Sequence, residues 1–171
     1  MFIFVLLYHI GSENEGIHAL NYSGKSCILM FESGVGANYY ASLLEAYGFP
    51  KPTAKLMDEK EIKAFCLDSG YTFQFIPTDH VVIPPKKHTK SEFLSKVQNA
   101  PPLELSRSNL NSEQKEYYLI TLRKTYFIYR RNIVDLERER ATRGFSVEMN
   151  RQIEYYTEEV QKIELEIQRW V

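Results

Sequence analysis

No arginine occurs before Arg107 in this chain of 171 residues. The first half therefore has no guanidinium for bidentate phosphate or carboxylate recognition. Residues 1–85 carry five lysines against nine acids, and the whole chain has a net charge of −1. A dedicated nucleic-acid binder would show a basic excess, and none is present. Cysteine is scarce too: Cys27 and Cys66 stand alone, outside any CxxC or other metal-ligand spacing. That excludes a disulfide framework or a structural zinc knuckle and fits a reducing compartment. Long apolar runs are missing, since no window approaches the roughly 18 residues a membrane span needs. Any membrane contact would be peripheral. The opening MFIFVLLY has neither a positive flank nor an A-x-A-like cleavage site, so it predicts a buried strand rather than a signal peptide. Catalytic signatures are absent as well: there is no nucleophile elbow, HExxH or paired-carboxylate motif. No catalytic residue, cofactor or metal site is assigned.

What is present divides the chain by composition. Residues 2–8, FIFVLLY, form a β-rich apolar run typical of a strand covered on both faces. Ile17–Tyr22 and CILMF at 27–31 flank the turn signal Ser23-Gly24-Lys25 and predict a hairpin. Ser33 caps a helix over about 35–47, ended by Gly48 and Pro50. TAKLM at 53–57 predicts a strand, Asp58 caps a second helix with Ile62, Phe65 and Cys66 inward, and YTFQFI at 71–76 alternates as a half-exposed strand. The succession β-β-α-β-α-β over residues 1–80 predicts an α+β domain, a ferredoxin-like sandwich with both helices on one face and its strand order open.

Prolines at 77, 84, 85, 101 and 102 punctuate the next stretch. Residues 81–111 thus read as a Pro-rich basic linker with one short helix, opened by the capping box Thr89-Lys90-Ser91-Glu92. From residue 112 the pattern changes again. Leu119, Leu122, Tyr126, Tyr129, Ile133 and Leu136 follow heptad spacing, as do Met149, Ile153, Tyr156, Val160, Ile163, Ile167 and Trp170. Gly144 and Ser146 separate the two. Residues 112–171 are expected to form an antiparallel coiled-coil hairpin, roughly 35–45 Å long at 1.5 Å per residue. Tyr117, Tyr118, Phe127, Ile128 and Tyr155 add apolar surface outside that seam, and with Trp170 they make the hairpin a candidate interaction arm. Its cover would be the α+β domain, a second copy or a partner protein.

Several residues invite a chemical reading. Gly34 and Gly36 before a helix suggest phosphate binding, but neither G-x-G-x-x-G nor the P-loop pattern is present and no Lys follows, so a plain helix start is the default. His9 and His18, with Glu13 or Glu15, would make a metal or acid–base cluster only in one particular register; isolated histidines at strand ends are more often structural. Both cysteines read as small core residues. PPKKHTK at 84–90 offers three lysines and a histidine to an anionic membrane surface or RNA, salt-sensitively, or solvates as a linker. Arg130, Arg131, Arg138, Arg140 and Arg143 interleave with Asp135, Glu137 and Glu139, which favours intrahelical pairing.

Three blocks, FVLLYHIGSENEGIHAL, ILMFESGVGANYYASLLEAYGFPKPT and EIKAFCLDSGYTFQFIP, resemble a small family of unknown function found in cyanobacteria and in plastids of algae and plants. Its members run a strand, N-E-G-I-[HY]-x-L, L-M-F-E, A-x-x-Y-A-x-L-L-E-A-x-x-F-P-x-P-T and E-I-x-x-F-C-x-x-x-G-Y. The resemblance covers about residues 1–85 and not the helical hairpin. Ser33-Gly34-Val35-Gly36 departs from it, because relatives carry acidic residues there. No activity comes with the family. The resemblance implies an oxygenic phototroph, with the protein in the cytoplasm or plastid stroma and possible contact with the thylakoid surface. Since the turn is the family's hallmark, Asn14, Glu15 and His18 are the candidate binding residues. The expected role is a non-enzymatic interaction protein: an assembly, regulatory or accessory factor that binds a larger protein complex or self-associates through the hairpin. The alternative is a domain that binds a small molecule or metal, as a binding module or as an enzyme, through the Asn-Glu-Gly-Ile-His turn.

Overall fold

A computed structural model describes residues 1–22, 24–85 and 103–170. The chain divides into two compact units, Met1–Asn111 and Ser112–Val171. The basic stretch 86–90 and the capping box at 89–92 lie outside the described residues.

The first unit is α+β. Strand β1 (Phe2–Tyr8) lies inside the sheet, with β5 (Thr53–Asp58) antiparallel along one edge from Phe2↔Asp58 to Leu7↔Thr53. On its other edge β1 meets β4 (Lys25–Phe31) only at Phe4↔Phe31. The two then part, and the segment carrying β2 (Gly16–Ile17) and β3 (Ala19–Tyr22) enters the gap. Here β2 pairs with the end of β1 through Leu7↔Ile17 and Tyr8↔Gly16, while β3 pairs with β4 from Ala19↔Ile28 to Tyr22↔Lys25. At the switch His18 N donates to Leu6 O at 2.7 Å. Strand β6 (Thr72–Ile76) adds in parallel to the far edge of β4. The strand order left open by sequence is thus β5-β1-β4-β6, with β2 and β3 wedged between the central pair.

The helices are α1 (Gly34–Ala46) and α2 (Glu59–Ser69). Ser33 Oγ accepts from Val35 N to start α1, and Asp58 Oδ1 accepts from Lys60 N to start α2. Gly70, at φ 70°, ends α2 in the left-handed region that a glycine enters without strain, and its N–H reaches Cys66 O.

The expectation that both helices share one face is corrected. Successive strand side chains point to opposite faces, and β1 is apolar on both. Ile3, Val5 and Leu7 join Ile28, Met30 and the α2 residues Ile62 and Cys66 in one core cluster. Phe4 and Phe31 are paired on the other face, where the Phe31 ring packs on Tyr40 of α1 at 5.8 Å. A doubly apolar central strand needs a cover on each side, and one helix supplies each.

Residues 81–111, expected as a linker with one short helix, are corrected in part. Strands β7 (His80–Ile83) and β8 (Leu103–Ser106) pair antiparallel as a second small sheet. Val81 and Val82 are both buried, and Gln74 Nε2 of β6 donates to Glu104 Oε2 of β8 at 2.9 Å. Pro84 and Pro85 follow β7 directly, a position where the missing N–H costs the ladder nothing.

The second unit is a helical pair, α3 (Ser112–Arg143) and α4 (Val147–Trp170), packed against each other. Its seam is shifted from the expected one. Tyr118, Leu122, Thr125 and Tyr129 are buried, while Leu119 and Tyr126 are only partly covered. Two threonines account for the shift, because a pattern of apolar residues passes over Thr121 and Thr125. In a helix, threonine satisfies its hydroxyl on the preceding turn and leaves its methyl to pack. Thr121 Oγ1 donates to Tyr117 O at 3.0 Å in this way. On α4, Tyr156, Val160 and Ile163 are buried as the spacing predicts. The Tyr129 and Tyr156 rings meet at 4.9 Å across the pair.

Candidate functional site

The GSENEGIHAL segment is a self-stapled turn followed by the strand wedge. His9 (φ 53°) and Gly11 (φ 77°) both take left-handed backbone, an uncommon state for histidine. Ser12 bonds back to His9 O through its N–H (3.1 Å) and its hydroxyl (2.8 Å). Asn14 N donates to Ser12 Oγ at 3.2 Å, and Glu15 Oε2 accepts from Gly11 N at 2.7 Å. One carboxylate oxygen of Glu15 thus holds the loop shut.

Beyond the turn the chain becomes extended, and alternation sends neighbours to opposite faces. Glu15 and Ile17 go to the α2 side, His18 to the α1 side. Asn14, Glu15 and His18 therefore do not converge on one pocket; Asn14 stays at the exposed tip. His9 and His18 make no pair, and among the described residues no three His, Cys, Asp or Glu side chains cluster to hold a metal ion.

On the α1 side His18 sits between two tyrosines. Tyr8 Oη lies 2.9 Å from Nδ1 and Tyr40 Oη lies 3.2 Å from Nε2. Burial pulls the imidazole down to a pKa of about 4, so the ring is neutral at pH 7. Burial pushes both phenols up, Tyr40 the further. A neutral imidazole has one N–H and one bare nitrogen, so one tyrosine donates to the ring while the other accepts from it. Every polar atom of the ring is used, and Tyr40 is fully buried. The trio ties β1, the wedge and α1 together.

On the α2 side the same segment lines a cavity of about 460 Å³. Leu7, Ile17, Met57, Ile62, Phe65 and Tyr71 make its apolar lining; Glu15, Lys55 and Glu61 bring charge to it. The Phe65 and Tyr71 rings meet tilted at 5.8 Å, and Lys63 lies 5.5 Å over Phe73 beyond them. A concave apolar surface with a few charged groups is the ordinary form of a small-ligand site. Sequence reasoning singled out Glu15 but missed Lys55, Glu61 and Tyr71, whose only link to it is tertiary.

The remaining candidates resolve as follows. Gly34, Val35, Gly36 and Ala37 are all buried, so the first turn of α1 is closed off as an anion site. A Cβ on Gly36 would come within 3.8 Å of His80 O and 3.7 Å of Phe31. Cys27 and Cys66 are buried free thiols, and burial raises the Cys66 pKa, the opposite of an activated nucleophile. In the second unit Tyr118 is buried and faces Trp170 at 5.8 Å, whereas Tyr117 and Tyr155 are partly covered. Phe127 is 70% exposed and Ile128 45% exposed. Of the arginine-rich set, Arg138 reaches Asp135 (3.3 Å) and Arg143 reaches Glu139 (2.6 Å), both within α3. No helix among the described residues is long and apolar enough to cross a membrane.

No curated protein and no solved structure matches the chain. Residues 3–86, just under half of the chain, match a family model described as Domain of unknown function (DUF3110).

Proposed function

We propose that the chain is a non-enzymatic interaction protein in which the α+β unit is joined to a helical docking arm. The observation that carries this reading is Phe127, a large aromatic 70% exposed on the side of α3 away from its seam and flanked along the helix by the exposed Ile120 and Val134. An isolated exposed apolar residue is ordinary, but an exposed row seven residues apart is the pattern of a helix that meets another helix. The finer role, an accessory or assembly factor for a larger complex in an oxygenic phototroph, at most peripheral to the thylakoid, rests on the resemblance of the N-E-G-I-H and L-M-F-E blocks alone. The test is capture from a cyanobacterial lysate by the full chain beside its Phe127→Glu variant, with light scattering to detect self-association. A monomer that captures the same nothing as the variant ends this reading.

A second reading is favoured by the cavity: a small-molecule-binding domain that uses Glu15 with Ile17 and Met57. A metabolite and metal panel screened by thermal shift tests it. Stabilisation lost in Met57→Trp, which fills the cavity, and in Glu15→Ala would support it; no stabilisation by any compound would remove it.

A further inference from the structure

Between Glu116 and Asp135, α3 contains no carboxylate, yet carries Arg123, Lys124, Arg130 and Arg131. All four are exposed, and so are Ile120, Phe127 and Val134. At about 100° per residue, these three apolar side chains fall on one line, opposite the buried Tyr118 and Thr125 that face α4. The cations then fall in two rows, Arg123 with Arg130 on one side of the line and Lys124 with Arg131 on the other. No ion pair among the described residues joins Arg123, Lys124 or Arg130 to a carboxylate, and Arg131 reaches Asp135 only at 3.8 Å between two exposed groups. An apolar line with a charged row on each side is how a coiled-coil helix selects its partner.

The charge pattern selects the occupant. Over its length α3 has eight bases and five acids, while α4 has three bases and six acids. A second copy docking α3 on α3 would bring eight like charges together around the two Phe127 rings. Docking α3 on the outer side of a second α4 would match charge, but the contact is head-to-tail, and outside a closed ring it always leaves one α3 face uncovered. A separate partner with acidic flanks covers the face without either cost.

We propose that the outward face of α3 docks an amphipathic helix of another protein, one whose apolar line is flanked by acidic residues. This rests on the interaction-protein reading above and names the chemistry of its partner. Such a helix would lay its apolar side chains between Ile120, Phe127 and Val134 and set its carboxylates against the two basic rows. Association would be fast and salt-sensitive.

Fluorescence anisotropy with the full chain tests it, using a designed helical peptide about three heptads long with leucines along one face and glutamates on both flanks. Its twin carries lysines on the flanks, and a third arm uses vesicles of anionic phospholipid. The glutamate peptide is expected to bind at least about tenfold more tightly than the lysine twin and to weaken steeply between about 0.05 and 0.5 M salt. The double variant Arg123→Glu, Arg130→Glu should lose that preference with unchanged helicity by circular dichroism, and Phe127→Ala should lose binding to both peptides. Equal binding of the two peptides, or binding of neither, overturns the proposal. Tighter binding to the vesicles than to the glutamate peptide also overturns it and gives the face to a membrane surface. A lysate partner retained by the charge-reversed variant would sink this inference while leaving the interaction-protein reading standing.

Discussion

The two faces of the sheet in the first unit are built to different standards. On the α1 face Phe4, Phe31, Tyr39 and Tyr40 are buried, and the imidazole that joins them, His18, has both nitrogens bonded. On the α2 face the core cluster stops at Ile62 and Cys66. Phe65, Phe73 and Phe75 remain more than a third exposed, and a cavity opens beside them. The contrast separates a side that makes the fold from a side available to a ligand. A short 11-residue helix with two buried residues cannot cover what a 13-residue helix with eight does.

The largest expected effect tests the closed face. Tyr40→Ala removes a fully buried ring and one partner of His18, and should cost about 3–5 kcal/mol in urea denaturation of the full chain. Next is acid. The His18 pKa is lowered to about 4 in the fold from an ordinary 6.5, so the folded state binds fewer protons than the unfolded. The stability held by the neutral ring is intact above pH 6.5, is lost as pH falls toward 4, and does not change further below that. The loss is about 3 kcal/mol, read as the difference between wild type and His18→Gln across a pH series. Equal pH dependence in the two proteins would show that the ring is not held neutral by burial. Ser33→Ala, which removes the buried cap of α1, should cost about 1 kcal/mol in the same denaturation. The smallest effect belongs to the open face: Phe65→Ala, at a residue 41% exposed, should cost about 1 kcal/mol or less. If it costs as much as Tyr40→Ala, the two faces are equivalent and the contrast fails.

Much of the fold was legible because each signal was local. Gly48, Asp58 and Gly70 mark helix ends by backbone chemistry that acts over a few residues, and α1 and α2 begin and end within about two residues of where those signals lie. The hairpin of β3 and β4 follows from Ser23-Gly24 in the same way. The site was legible only in part. Glu15 and His18 stand three residues apart in one block, and alternation along the wedge divides them between two faces. Lys55, Glu61 and Tyr71 come to the cavity from β5, α2 and the connection before β6, and nothing in their local sequence marks them. In the second unit the seam was misread at Thr125, where a polar residue type occupies an apolar position.

By itself, then, the sequence determined the kinds and order of the elements in residues 1–76 and from residue 112 on, and the break in character between them, because capping, periodicity and charge are properties of short segments. Tertiary structure alone decided that β2 and β3 enter between β1 and β4, that α1 and α2 take opposite faces, and that β7 finds β8 twenty residues further on. Those choices depend on which apolar surfaces cover one another, and burial is a sum over distant residues that no single stretch of chain contains. The same sum gives GSENEGIHAL its two roles: His18 locked into the closed face, Glu15 and Ile17 turned toward the open one.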